Sequence, residues 1–196
     1  MSYLRKIEYE IVINRSFPVL RGCPQCGRKT NFRNTKKFRV NANGNKLDVW
    51  LIYHCEKCKH TLNLSIYERQ KVSSIPEKEY KNFLNNNERL AEIYGKNIQL
   101  FRKNKADIDI EKVDYNFVKL NEIRESGDAK EQIELAIHNS YNIKIRPDKQ
   151  IAEVLGFSRS KVKKLVEQGE IRLEKSSPQF ISVIVNNYLF QTEKNE

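Results

Sequence analysis

Two C-x2-C pairs constrain this chain more than any other feature. Cys23 and Cys26 stand in "CPQC", Cys55 and Cys58 in "CEKC", and twenty-eight residues lie between the pairs. That interval contains "KFRVNANGNKLDVWLIYHC". Phe38 and Val40 alternate with Lys37 and Arg39, and beyond Asn43–Gly44 the residues Leu47, Val49, Leu51 and Tyr53 fall on one face. Asn-Gly between two alternating runs predicts a tight hairpin, because both residues tolerate positive φ. A hairpin of this length carries the second cysteine turn back to the first.

Neighbouring thiols in a reducing compartment argue for a metal rather than for disulfides. That compartment is the expected one. The beginning, "MSYLRKIEYE", has no secretory h-region, and the longest apolar runs, such as Val49 to Tyr53, are far too short to span a bilayer. A cytoplasmic protein without membrane association is expected. Four thiolates on two tight turns suit tetrahedral Zn2+ with bonds of about 2.3 Å, a zinc-ribbon arrangement. Iron in a rubredoxin-like site is the alternative, since the turn chemistry is shared. Four cysteines close the coordination shell, whereas catalytic zinc keeps a position open, so the expected role is structural. Such a metal supplies on the order of 10 kcal/mol to the folding of a small domain. His54 and His60 flank the second pair and read as partly exposed bystanders; His138 has no acidic or thiol neighbour in sequence.

Charge is unevenly spread over the 196 residues, whose formal net charge is +11. Residues 1–75 carry fifteen Lys/Arg against five Asp/Glu, residues 76–140 eleven against thirteen, and residues 141–196 ten against seven. Two basic ends around a near-neutral middle point to a polyanionic partner, nucleic acid above all. Arg28, Lys29, Arg33, Lys36, Lys37, Arg39 and Lys46 lie between the cysteine pairs, interleaved with Phe32, Phe38, Trp50 and Tyr53. Cations among aromatics suit phosphate contact and base stacking. A ribbon has little other core, however, so Trp50 and Tyr53 are expected inside, with Phe32 open to either role.

The pattern gives an α+β chain in three parts. Residues 1–72 form the zinc-ribbon β domain, 73–107 a helical connector, and 108–196 an α+β domain. In the connector Tyr80, Phe83 and Leu84 make one apolar stripe and Leu90, Ile93 and Tyr94 another, with Ser74 as a candidate cap and breaks expected at Asn85–Asn87 and Gly95. Residues 108–120 and 131–146 read as β, with a loop at "SGD" (126–128) and a turn at "NSY" before a short strand over "IKI". The terminal "QFISVIVNNYLF" reads as a last strand.

Between them, "IAEVLGFSRSKVKKLVEQGEI" reads as two helices and a turn. Ile151, Val154 and Leu155 face inward on the first helix and Gly156 stops it as a C′ glycine. Ser158 caps the second, whose inward residues are Val162, Leu165 and Val166 and which Gly169 closes. Arg159, Lys161, Lys163 and Lys164 are left outside, beside an anion-ready helix N-terminus.

The longer stretch "IRPDKQIAEVLGFSRSKVKKLVEQGEIRLE" resembles an S4 RNA-binding domain. The carrying residues are Arg146 and Asp148 before the first helix, Gly156, Ser158, Arg159 and Ser160 at the turn, and Gly169, Ile171 and Leu173 leading into a strand. The Gly-Asp turn usual in the distal strands of that family is missing from "EKSSPQFISVIVNNYLF". The resemblance implies an S4-like α+β unit that reads folded RNA by shape and backbone, with Arg146, Ser158, Arg159, Lys161 and Lys164 meeting the RNA. The helical pair also resembles the helix-turn-helix of excisionase-like DNA binders, which implies a major-groove reader. The chain as a whole resembles an uncharacterised bacterial family, a domain of unknown function.

The reading that gathers these features is a zinc-stabilised protein that binds structured RNA, ribosomal or transfer RNA for example. The nucleic-acid contacts are Arg146, Ser158, Arg159, Lys161 and Lys164 at the tail and Arg28, Lys29, Lys36, Lys37 and Arg39 at the head. The alternatives are a DNA-binding regulator and a protein-interaction adaptor. No nucleophile–base pairing, P-loop or dinucleotide fingerprint is present, so no catalytic residue is assigned and no enzyme is expected.

Overall fold

The computed structural model describes residues 5–123 and 132–190; the expected loop at residues 126–128 lies outside them. The fold is a mixed α+β arrangement in which sheet dominates. Two compact units divide the chain: Ile13–Asp114 forms one, and Met1–Val12 joins Tyr115–Glu196 in the other.

The Ile13–Asp114 unit is built on four antiparallel strands in sequence order, β2 (Val19–Cys23), β3 (Arg28–Asn43), β4 (Lys46–Cys55) and β5 (Thr61–Lys71). Strand β4 alternates as its sequence does: Leu47, Val49, Leu51, Tyr53 and Cys55 are all buried. The β3–β4 hairpin closes between Asn43 and Lys46. Its two central residues are therefore Gly44 and Asn45, one position later than Asn43–Gly44. Gly44 has φ +60° and Asn45 is not left-handed, the pattern of a type II′ turn with glycine first. Phe32 is fully buried and Tyr53 with it, while Trp50 lies on the outer face, half-buried beneath the Arg39 guanidinium at 5.8 Å.

Three short helices follow, α1 (Glu77–Leu84), α2 (Glu88–Gly95) and α3 (Ile98–Lys103). The breaks fall where asparagines offer the backbone another partner. Asn86 takes φ +49°, Asn87 caps α2 by accepting from Leu90 N, and Asn97 caps α3 by accepting from Gln99 N. Ser74 caps nothing: α1 starts at Glu77 with Pro76 at the cap position, and the Ser74 hydroxyl donates to Lys71 O instead. Phe83 is the buried knob of α1, edge-on to Phe38 at 4.9 Å and to Tyr67 at 6.0 Å, and Phe101 of α3 meets Phe17 at 5.5 Å. Leu84 and Ile93 of the expected stripes stay exposed; the helices bury Phe83 of α1 and Ala91 and Gly95 of α2 instead.

The other unit has a five-stranded sheet in the order β6-β1-β7-β9-β8. Its strands are β1 (Arg5–Ile13), β6 (Tyr115–Ile123), β7 (Gln132–His138), β8 (Ile171–Ser177) and β9 (Phe180–Asn186). Strand β1 runs parallel to β7, from Arg5↔Ile133 to Glu10↔His138. Parallel neighbours need a long crossover, and here the connection contains the whole Ile13–Asp114 unit. The unit borders thus differ from breaks at 72 and 107: β1 leaves the cysteine-bearing segment because it pairs with β7, its buried Ile7 opposite Leu135.

Helices α4 (Pro147–Val154) and α5 (Arg159–Glu167) precede the β8–β9 hairpin, whose turn is Pro178–Gln179. Each helix ends on a left-handed glycine. Gly156 has φ +66° and Phe157 N bonds Ala152 O at 2.8 Å; Gly169 has φ +77° and Glu170 N bonds Leu165 O at 2.9 Å. Both are Schellman stops. Val166, expected inside, is 45% exposed; Val162 and Leu165 suffice to seat α5. "IKI" is not a strand. Ile143 and Ile145 are buried, but their carbonyls accept from the side chains of Asn139 and Gln150 rather than from a neighbouring strand. The last strand ends at Asn186, and Asn187–Phe190 turns as a 3-10 helix.

Candidate functional site

The four cysteines converge. Cys23 ends β2, Cys55 ends β4, and Cys26 and Cys58 stand in the turns that follow. Their sulfurs lie within 4.8 Å of one another. Cys23 Sγ is 3.4 Å from Cys58 Sγ, and Cys26 Sγ is 3.9 Å from Cys55 Sγ. A disulfide needs about 2.05 Å, so these are thiols. A tetrahedron with bonds of about 2.3 Å has edges of about 3.8 Å, so the sulfurs are spaced as ligands of one ion.

Local electrostatics prepare the site for a cation. Burial alone would push the Cys55 thiol up. The amides of Cys58 and Lys57 and the Thr30 hydroxyl, 3.2 Å from its sulfur, outweigh that and leave it at about 6. The Cys58 sulfur, together with burial, pushes Cys26 up to about 12. A divalent ion displaces thiol protons as it binds. Gly27 N donates to Cys23 O and Lys59 N to Cys55 O, closing the two turns, and both Gly27 and Lys59 are left-handed. The lysine at the second turn carries no glycine-like signal in the sequence.

The basic residues of this unit do not form one patch. Strand alternation puts Lys29, Arg33, Lys37 and Arg39 on the sheet face that also bears Trp50 and Ile52, opposite the buried face. Arg28 pairs with Cys23 and points to the other side. Lys36 sits in a bulge between Asn34 and Lys37, and its ammonium meets Glu88 at 3.1 Å and Glu92 at 3.2 Å.

In the other unit the expected contacts are close together and exposed. Asp148 accepts from both Arg146 and Arg159, at 3.0 and 2.9 Å for the shortest contacts. Burial would raise the Asp148 carboxyl, but the Arg159 and Arg146 guanidiniums hold it below its ordinary value. Ser158 caps α5, accepting from Lys161 N at 3.2 Å. The Lys161 ammonium lies 3.6 Å from the centre of the Phe157 ring, and Lys164 projects to solvent one turn on. Sequence reading missed the bridging role of Asp148, which the Arg-x-Asp spacing carries, and the Phe157–Lys161 pair at i, i+4.

A family model described as "Protein of unknown function (DUF1062)" matches residues 40–177. The chain belongs to the DUF1062 family. The matched stretch begins within β3, past Cys23 and Cys26, and runs through Cys55, Cys58, the three helices and the α4–α5 pair to the end of β8. The DUF1062 segment thus takes in parts of both compact units. No curated protein and no solved structure matches this DUF1062 protein. No helix among its described residues is long and apolar enough to cross a membrane.

Proposed function

We propose that the protein is a zinc-stabilised RNA-binding protein that grips structured RNA through its phosphates. The cysteine centre is read as a zinc ribbon. Four sulfur ligands leave no open position for substrate, so the ion's work there is to hold β2–β5 together. The tail is read as an S4-like unit and carries the contacts. What supports this reading is the Arg146–Asp148–Arg159 bridge: one carboxylate orients two guanidiniums at the mouth of a capped basic helix, and both keep donors free, with side chains 66% and 46% exposed. Guanidiniums held this way meet phosphate with little ordering left to do. The cationic outer face of β3 with Trp50 beside it offers the other unit a surface of the same chemistry.

Filter binding of an RNA hairpin and a duplex DNA of equal length, at one salt concentration, tests the reading. The hairpin is retained at lower protein concentration. Replacing Arg159, Lys161 and Lys164 with Ala flattens the salt dependence of RNA binding by about three in log–log slope, about one per phosphate contact. A preference for the duplex, or an unchanged slope, overturns it.

A further inference from the structure

One feature of the Ile13–Asp114 unit belongs neither to the cysteine centre nor to the tail. A cavity of about 750 Å³ is lined by Arg15, Ser16, Arg33, Asn34, Lys36, Glu92, Lys112 and Asp114. That volume falls within the roughly 300–1,000 Å³ common for small-molecule sites. Four of its side chains are cationic and two anionic, and Glu56 and Glu88 outside the lining pair with Arg33 and Lys36.

The cavity is supported by unusual backbone. Asn34, Thr35 and Lys36 make the β3 bulge, and Lys36 holds φ +61° with its N–H bonded to Asn34 Oδ1 at 2.8 Å. A non-glycine residue in the left-handed region is costly and persists where the surroundings impose it, often at ligand sites. Bulges likewise re-aim side chains beside functional sites. Asn34 Nδ2 donates to Ser16 Oγ at 2.8 Å and to Ala91 O at 2.9 Å. Gly95 lets these residues approach: a Cβ there would stand 2.6 Å from Ser16 Cβ and 2.7 Å from Asn34 Nδ2. With its oxygen taken by Asn34, the Ser16 hydroxyl keeps a proton to donate.

We propose that this cavity binds a phosphate monoester of nucleotide size. A monoester carries about two negative charges near neutral pH and several acceptor oxygens for the four cationic side chains. Three of the cations are held by carboxylates that an incoming phosphate can replace: Arg15 by Asp114 at 3.2 Å, Arg33 by Glu56, Lys36 by Glu88 and the half-buried Glu92. With its amide turned so that both neighbours are satisfied, Asn31 accepts from Lys112 Nζ at 2.7 Å and donates to Asp109 at 2.8 Å. The phosphate comes either from a free nucleotide or from the 5′ end of a strand. None of its lining residues is a tail contact, and the site does not depend on the RNA reading of the tail.

Isothermal titration of the full metal-loaded chain with 5′-AMP, adenosine, and one RNA trinucleotide with and without a 5′-phosphate tests it. The phosphorylated ligands bind at least about tenfold tighter than their unphosphorylated counterparts, as charge-assisted contacts require. If both phosphorylated forms bind, a free nucleotide suffices; if only the trinucleotide does, the source is a strand end. Arg15→Ala and Lys112→Ala each weaken that binding with an unchanged melting temperature. Asp114→Asn, which removes the competing carboxylate, tightens it. The assignment fails if no phosphorylated ligand shows saturable binding, if phosphate confers no advantage, or if the three substitutions leave affinity unchanged. The tail substitutions Arg159→Ala, Lys161→Ala and Lys164→Ala leave 5′-AMP binding intact, so failure of the RNA reading and failure of this site are separate results.

Discussion

Asp148 is the residue on which the tail surface turns, and its chemistry is open to a pH experiment. Its carboxylate faces Arg146 and Arg159 and is held below its ordinary 3.8 by them against the opposing effect of burial. A carboxyl whose folded-state pKa is lowered adds stability that is complete above the unfolded value and disappears as pH falls through the folded one. Asp148→Asn keeps the shape and removes the charge. Urea denaturation at pH 7 should show the variant less stable by about 0.5–1 kcal/mol, the scale of a partly exposed pair. Lowering the pH through and below 3.8 should shrink that difference, because the wild-type carboxyl takes up its proton and loses the same attraction. A difference that stays constant down to pH 3 would mean that the ion bridge contributes nothing and that the substitution acts through packing.

At the scale of elements, Asn139 decides the path from β7 to α4. It is 2% exposed; its amide donates to Ile143 O and Pro178 O, both at 2.8 Å, and its oxygen accepts from Ile143 N. One side chain thus replaces a missing strand partner for the segment that delivers Arg146 and Asp148. Asn139→Ala strands these buried groups and should cost about 2–3 kcal/mol. Hydrogen exchange should locate the loss, with amides of α4 and β9 exchanging faster and those of β3 and β4 unchanged. A uniform change across the chain would overturn the local account. The same segment shows where the sequence stops speaking. Ile143 and Ile145 two apart satisfy a strand's period, yet that period records burial and not hydrogen bonding, and the partner that removes the strand lies at Asn139. By contrast β4 was legible because five alternate positions all reach the core, and the helix stops at Gly156 and Gly169 were legible because a left-handed C′ residue is a local requirement. The cysteine cluster was legible from spacing and hairpin together. The cavity by Lys36 was not: its strain and its Ser16–Gly95 contact join residues distant in sequence.

For the whole molecule the informative strand is the first. β1 lies between β6 and β7, inside a sheet whose other members come more than a hundred residues later. No local pattern in residues 5–13 names that partner, which is why charge and cysteine content grouped them with the ribbon. The topology makes two different demands on fragments. Residues 13–114 contain all four cysteines, the entire four-stranded sheet and its three helices, so this piece should fold by itself and take up one metal ion per chain. Residues 115–196 lack the strand that joins β6 to β7, leaving β6 with no neighbour and β7 with one bare edge, so this piece should collapse without a sharp thermal transition. Adding a peptide of residues 1–14 in excess should restore a cooperative transition by parallel pairing with β7. Chelation then separates the units again in the full chain: removing an ion that contributes on the order of 10 kcal/mol should release the amides of β2–β5 and leave those of β7 and β9 protected. Cooperative unfolding of residues 115–196 alone would show that β1 is a decoration on a complete sheet, and a chelator that releases both sets of amides at one rate would show that the metal holds more than its own unit.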